Sequence, residues 1–158
     1  MTEGVLLNAN VEVKVKVKRL TATAKLPTYA TPGSAAFDIY VDSIAEHEPE
    51  HIAAGRSRKF HTGLALEVAE GWCIKVYSRS GHGFKHGVRL ENCVALIDSD
   101  YRGELMISLK SDKDAMKVCA GDRIAQAMIE PVVKACFEEV EVLGATERDT
   151  GGFGHTGA

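Results

Sequence analysis

Val11, Val13, Val15 and Val17 alternate with Glu12, Lys14, Lys16 and Lys18 near the start of the chain. A period of two puts the valines on one face and the charges on the other, which predicts a half-buried β-strand. Shorter runs of the same kind recur downstream, separated by Gly, Pro, Asp and Ser. No stretch carries the spacing of a long amphipathic helix. Many short strands with turns at short intervals predict an all-β sandwich or barrel. Helix is expected only as a turn or two around "SGHGFKHG".

Particular stretches sharpen this. "LPTYATPGSAAFDIY" reads as a Pro- and Gly-bearing loop running into a strand at Phe37–Tyr40. "EHEPEH" reads as a polar surface loop. "GLALEVAEGWCIKVYS" alternates on both sides of Glu70-Gly71 and predicts a hairpin. A second hairpin is expected between "NCVALI" and "ELMISLKS", through "DSDYRG". "DRIAQAMIE" suits either helix or strand, and "KACFEEVEVL" predicts a last strand before a Gly-rich tail.

The 158 residues fit one domain, and 45% apolar with 26% charged side chains is ordinary for a soluble globular protein. A net charge of −3 argues against a duplex-wrapping nucleic-acid binder, and the outward lysine row of the first strand reads as a solvated edge. Four scattered cysteines, Cys73, Cys93, Cys119 and Cys136, form no C-x-x-C pair and suit a reduced interior. With no membrane-length apolar run, a cytoplasmic protein with no membrane partner is expected.

Chemistry-bearing residues cluster in four places. "SRSGHG" sets Arg79 and Ser80 beside Gly81, where a forked donor and exposed backbone N–H groups suit phosphate, although a plain turn uses the same residues. Asp98 and Asp100 follow the apolar run "VALI", placing carboxylates at a strand end. Asp98 there suits a general base, and a hairpin turn also favours Asp and Ser. His82 and His86 are four apart, as are His47 and His51, but neither pair has a third ligand at a known zinc spacing. "RDTGGFG" near the end combines Arg148 with glycines that let a backbone approach phosphates, or reads as a loose end around a lone Phe153.

Taken in order, these stretches resemble the trimeric deoxyuridine triphosphatases (dUTPases), whose five motifs can all be placed. They are "PGSAAFDIY", "SRSGHGFKHG", the run from Asn92 through "LIDSDYRGE", "GDRIAQ" and "RDTGGFGHTG". The resemblance spans Pro32 to Gly157. It implies a distorted jelly-roll or β-clip barrel over residues 1–146, with a flexible Gly-rich arm over 147–158. It also implies a homotrimer whose active sites draw on more than one subunit, with the arm reaching across.

The same resemblance implies hydrolysis of dUTP to dUMP and pyrophosphate with Mg²⁺. Asp98 would activate a water for attack on the α-phosphorus. Tyr101 would stack beneath the deoxyribose, and Asn92 with the strand to Leu96 would read uracil. Arg79, Ser80 and Gly81, helped by Gln126, would hold the phosphates, and Arg148 would reach the γ-phosphate. Phe153 would lie over the uracil while Gly154, His155 and Thr156 complete the arm. Asp38 would act near the metal through water or support the site structurally. Ser78, Glu91, Ala95 and Asp149 depart from the family pattern. A dCTP deaminase and a nucleotide-dependent regulatory binder are the alternatives that the resemblance leaves open.

Overall fold

The computed structural model describes residues 12–42 and 50–155. The structure is built almost wholly from antiparallel strands. Lys16–Arg19 (β1), Ser57–Glu67 (β5), Glu104–Ser111 (β9) and Val88–Leu90 (β7) form one sheet in the order β1-β5-β9-β7. Thr28–Tyr29 (β2), Phe37–Tyr40 (β3), Arg123–Pro131 (β11), Trp72–Ser78 (β6) and Val94–Ile97 (β8) form the second, in the order β2-β3-β11-β6-β8. Glu50–Ile52 (β4) and Met116–Val118 (β10) make a small third pair. The one helix among the described residues, Ser80–His86 (α1), follows β6 directly.

The two larger sheets face one another across a core that the alternating runs supply. In β9, Leu105, Ile107 and Leu109 point inward and are buried, while Glu104, Met106 and Ser108 are not. Phe60, Leu66, Ile39, Ile74, Val76 and Ile124 meet them from both sides. Each such large side chain contributes about 1.5–3 kcal/mol by leaving water. Val13 and Val15 pack half-buried against this core, as their period predicts. Lys16 on the opposite face pairs with Glu67 directly across the ladder.

A break in the β5–β9 register falls between His61 and Ala65. Gly63 sits in it at φ +63°, and a Cβ there would lie 2.5 Å from Asp42 Oδ2 and 2.8 Å from the Ala24 Cβ. Only glycine satisfies both the dihedral and the space.

Three expectations are corrected. Trp72 N–H bonds to the Ala69 carbonyl in a tight reversal with Gly71 at φ +85°, yet β5 and β6 lie in different sheets. Similarly β8 pairs with β6 whereas β9 pairs with β5 and β7, so "DSDYRG" also crosses between sheets. The turn chemistry was right and the pairing was not. A turn residue specifies that the chain reverses, while two runs burying one face each can approach the core from opposite sides. The third correction is "KACFEEVEVL", which pairs with no strand among the described residues. Phe137, Val142 and Leu143 there are almost fully exposed, so its alternation covers no surface among the described residues.

"DRIAQAMIE" resolves as strand β11, the centre of its sheet. Residues 46–49 of "EHEPEH" lie outside the described residues, and its last two open β4. Among the described residues no helix is long and apolar enough to cross a membrane.

Candidate active site

Asp38 is 7% exposed and lies on β3, next to β11 and one strand away from β6. Its Oδ1 is 3.2 Å from Arg79 Nε, at the end of β6, and its Oδ2 is 3.1 Å from Arg123 Nη1, at the start of β11. Arg79 Nη1 also donates to the Arg123 carbonyl at 3.1 Å. Gln126 stands opposite Asp38 in the ladder, and its Nε2 donates to the Ser78 carbonyl at 3.2 Å. Three neighbouring strands thus bring Asp38, Arg79, Gln126 and Arg123 together. A carboxylate shared by two guanidiniums fixes their position while leaving a surplus positive charge, which suits an anion. Arg123 was overlooked in the sequence although it lies inside "GDRIAQ"; its pairing with a residue 85 positions away gave no local signal.

Ser80 and Gly81 form the exposed first turn of α1 beside Arg79. The cap is Arg79 itself, in extended backbone and without a side-chain cap bond, so Ser80 is the first helical residue rather than the cap.

The second group lies along β8. Among the described residues this strand pairs only with β6, which leaves its far side as an edge. An edge strand presents unpaired N–H and C=O groups in a fixed order. Val94 and Leu96 on its outer face are 43% and 59% exposed, while Ala95 and Ile97 pack toward the core. Asn92 and Ala95 line one cavity of about 440 Å³ with Lys59, Glu91 and Met106. Between Asn92 and β8, Cys93 adopts φ +62° in a tight turn closed by the Val94 N–H on the Asn92 carbonyl at 2.7 Å.

Asp98 follows the last β8 residue and borders a different cavity, about 590 Å³, with Glu67, Cys73, Asp100 and Arg102. A turn holds it, closed by the Tyr101 N–H on the Asp98 carbonyl at 3.2 Å. Tyr101 is part-exposed, its hydroxyl donating to the Glu104 carbonyl at 3.0 Å. Arg102 Nη1 donates to the carbonyls of Ser99 and Tyr101, which stiffens this loop.

Val94 pairs with Tyr77, which brings the Asn92 end of β8 beside Arg79, but Asp98 at its other end does not meet the first group within one chain. Ile97 pairs with Ile74, so Asp98 lies beside Cys73, six residues before Arg79 along β6. At about 3.3 Å per residue the separation is about 20 Å. The tail forms a third group apart from both. Arg148 Nε donates to the Gly151 carbonyl at 2.7 Å, and Phe153, Gly154 and His155 are exposed. Thr156 lies outside the described residues.

Comparison with known proteins decides what such a scattered set belongs to. Residues 22–157 match the dUTPase family model. The chain is a member of the dUTPase family. The deoxyuridine 5'-triphosphate nucleotidohydrolase of Serratia proteamaculans is 43% identical over 151 residues, covering 93% of this chain and 96% of its own. That of Aeromonas salmonicida is 41% identical over 153 residues, covering 96% and 99%. Among solved structures, a Staphylococcus bacteriophage 80alpha dUTPase with dUpNHpp superposes at a TM-score of 0.80, with 23% identity and 92% of this chain and 99% of that chain covered. A dUTPase from phage phi11 of S. aureus, whose coordination of a structural Mg(II) ion has been described, gives 0.72 at 20% identity, covering 82% and 97%. Both share the all-β jelly-roll-like fold.

Against the dUTPase pattern, two of the departures have clear local roles. Ser78 Oγ accepts the Leu90 N–H at 2.8 Å, tying β6 to β7 just before Arg79. Glu91 accepts from Ser108 Oγ at 2.7 Å, which holds its carboxyl below the usual range. Asp149 takes φ +43°, the left-handed region where glycine is at ease, and Thr146 Oγ1 receives its N–H at 3.0 Å.

Proposed function

We propose that this chain hydrolyses dUTP to dUMP and pyrophosphate, in active sites shared between the subunits of a homotrimer. The observation that carries the reading is the course of β8, a free strand edge that runs straight into Asp98 in an open cavity. An edge of alternating N–H and C=O groups suits the alternating donors and acceptors of uracil, and cytosine exchanges them. Asn92 at the head of that strand adds a side-chain donor and acceptor. The nucleotide names of the relatives from Serratia and Aeromonas support the same substrate.

In the reaction, Asp98 takes a proton from water as the water oxygen forms its bond to the α-phosphorus. The bond from that phosphorus to the bridging oxygen of the β-phosphate breaks, and pyrophosphate leaves. Tyr101 supplies a flat face for the deoxyribose. Arg79, with Ser80, Gly81 and Gln126 of a neighbouring subunit, offsets the charge of the phosphates. Arg148 and Phe153, with Gly154, His155 and Thr156, close over the nucleotide from the arm.

Magnesium fits this donor set only as an indirectly held ion. Among the described residues no three His, Cys, Asp or Glu side chains converge, and both Asp38 oxygens face guanidiniums. The substrate phosphates and water would carry Mg²⁺, which prefers to keep several waters, and the bound ion would neutralise phosphate charge. Asp38 then serves chiefly to hold Arg79 and Arg123.

We take the enzyme to act in the cytoplasm. A nucleotide-dependent regulatory role would require only binding, and a dCTP deaminase would release ammonia. Incubation with dUTP, dCTP, dTTP and UTP, following pyrophosphate and ammonia, separates the three. Pyrophosphate from dUTP alone is expected, and its absence, or equal release from UTP, overturns the reading.

A further inference from the structure

His82 and His86 lie on one face of α1, four residues apart, and nothing in the proposed reaction uses them. What they face explains them better than a metal does. A cavity of about 420 Å³ lies between α1 and the β10–β11 region, lined by Arg79, His82, His86, Lys117, Asp122 and Arg123. Three of these groups are permanent cations and two can become so. The single carboxylate, Asp122, already accepts the Cys119 N–H at 2.8 Å through its Oδ2. Asp38 offsets part of the charge of Arg79 and Arg123 from behind, which still leaves the lining positive, and such a lining draws an anion.

His82 is the informative member. It is half-buried, and its Nδ1 is out of solvent with no hydrogen-bond partner among the described residues. Burial first, then the charges of Arg79, His86 and Arg123, hold its imidazole below the usual range, with Asp122 pulling the other way. The ring is therefore neutral at pH 7. The His82 ring lines the cavity, and an anion held there would favour its imidazolium through charge, so binding and proton uptake are coupled.

We propose that this cavity is a pyrophosphate site, which receives the leaving group of the reaction from Arg79 and holds it on His82 and Lys117. Arg79 borders both places, since it carries the Asp38 pair and also lines the cavity. The identity of the anion rests on the dUTP reading, whereas the cationic cavity does not.

Calorimetric titration of the full-length protein with inorganic pyrophosphate, at pH 7 in two buffers of different ionisation enthalpy, tests this. The wild type should bind with net proton uptake, and sulfate should bind less tightly. Lys117→Ala, at an exposed strand position, should weaken pyrophosphate binding by about tenfold, the effect of one charge-assisted contact. His82→Leu should reduce the proton uptake, His86 being the other histidine of the lining. Initial turnover of dUTP by Lys117→Ala should match the wild type, with weaker inhibition by added pyrophosphate. Equal binding by all three proteins, or binding without proton uptake by the wild type, overturns the inference. Loss of dUTP turnover in the wild type would instead overturn the functional reading and leave the titration to be judged by itself.

Discussion

Asp98 and Arg79 stand at opposite ends of the β6–β8 ladder, about 20 Å apart along the strand direction. If both act on one triphosphate, they must come from different copies of the chain. Asp98→Asn and Arg79→Ala should each abolish activity, and co-assembly of the two at equal amounts should restore it. A cyclic trimer containing both variants has one interface where an intact Asp98 meets an intact Arg79, so about a quarter of wild-type turnover is expected. Unfolding and reannealing the mixture before assay measures this. No recovery would place each site within one chain.

Asp98→Asn also separates chemistry from binding. The carboxylate sits on a tight turn at an exposed position and carries no packing, so the variant should fold as the wild type does. Loss of a general base lowers turnover by about 10²–10⁴-fold. Affinity for a non-hydrolysable dUTP analogue should change little. Turnover near the wild-type value would remove Asp98 from that role.

Much of this architecture was legible beforehand, and the reasons differ by residue. Leu105, Ile107 and Leu109 announce their strand because burial on one face imposes a period of two. Glu70-Gly71 announces a reversal because a left-handed residue needs glycine. Neither signal says which strand is the neighbour, since pairing is decided by the whole core, and both expected hairpins turned out to be crossings between sheets. The stretch from Lys134 to Leu143 shows the converse: its pattern is strand-like, but among the described residues it covers no surface. Arg123 was missed because what marks it is an ion pair with Asp38, far away in sequence.

If Arg79 holds the phosphates as proposed, Asp38 links stability to substrate binding. Asp38→Asn leaves two guanidiniums facing each other across a nearly buried amide. Breaking a buried ion pair is costly, and the partial exposure of both arginines reduces the loss to about 1–3 kcal/mol. Chemical denaturation would measure it. Since Arg79 loses its anchor, KM for dUTP should rise more than kcat falls. A fall in kcat alone, with unchanged KM and stability, would assign Asp38 directly to the reaction.

His82 predicts a specific acid sensitivity. Its ring is held below the ordinary value near 6.5, so the unfolded chain takes up a proton before the folded one does. The folded state binds fewer protons in that window, and stability therefore falls as pH drops below about 6.5. The loss levels off once the folded ring is protonated too. His82→Leu should flatten this part of the profile, leaving the carboxylate-driven decline at lower pH. Thermal melting between pH 5 and 8 compares the two proteins, and identical slopes would show that burial of His82 carries no linkage.

The arm gives the last expectation. Phe153 is fully exposed at φ +47°, a conformation that costs free energy for a residue with a Cβ, while Arg148 is satisfied by its own Gly151 carbonyl. Nothing in the body of the domain depends on either side chain. Ending the chain after Asp149 should therefore leave melting temperature and assembly unchanged. If the arm closes as proposed, turnover should fall by at least about tenfold, because exclusion of water and positioning of the phosphates are lost. Phe153→Ala isolates the ring: a smaller loss is expected, expressed mainly in affinity for the nucleotide, since stacking on a base is worth about 1–3 kcal/mol. Full activity in the truncated chain would show that neither Phe153 nor the glycines around it take part in the reaction.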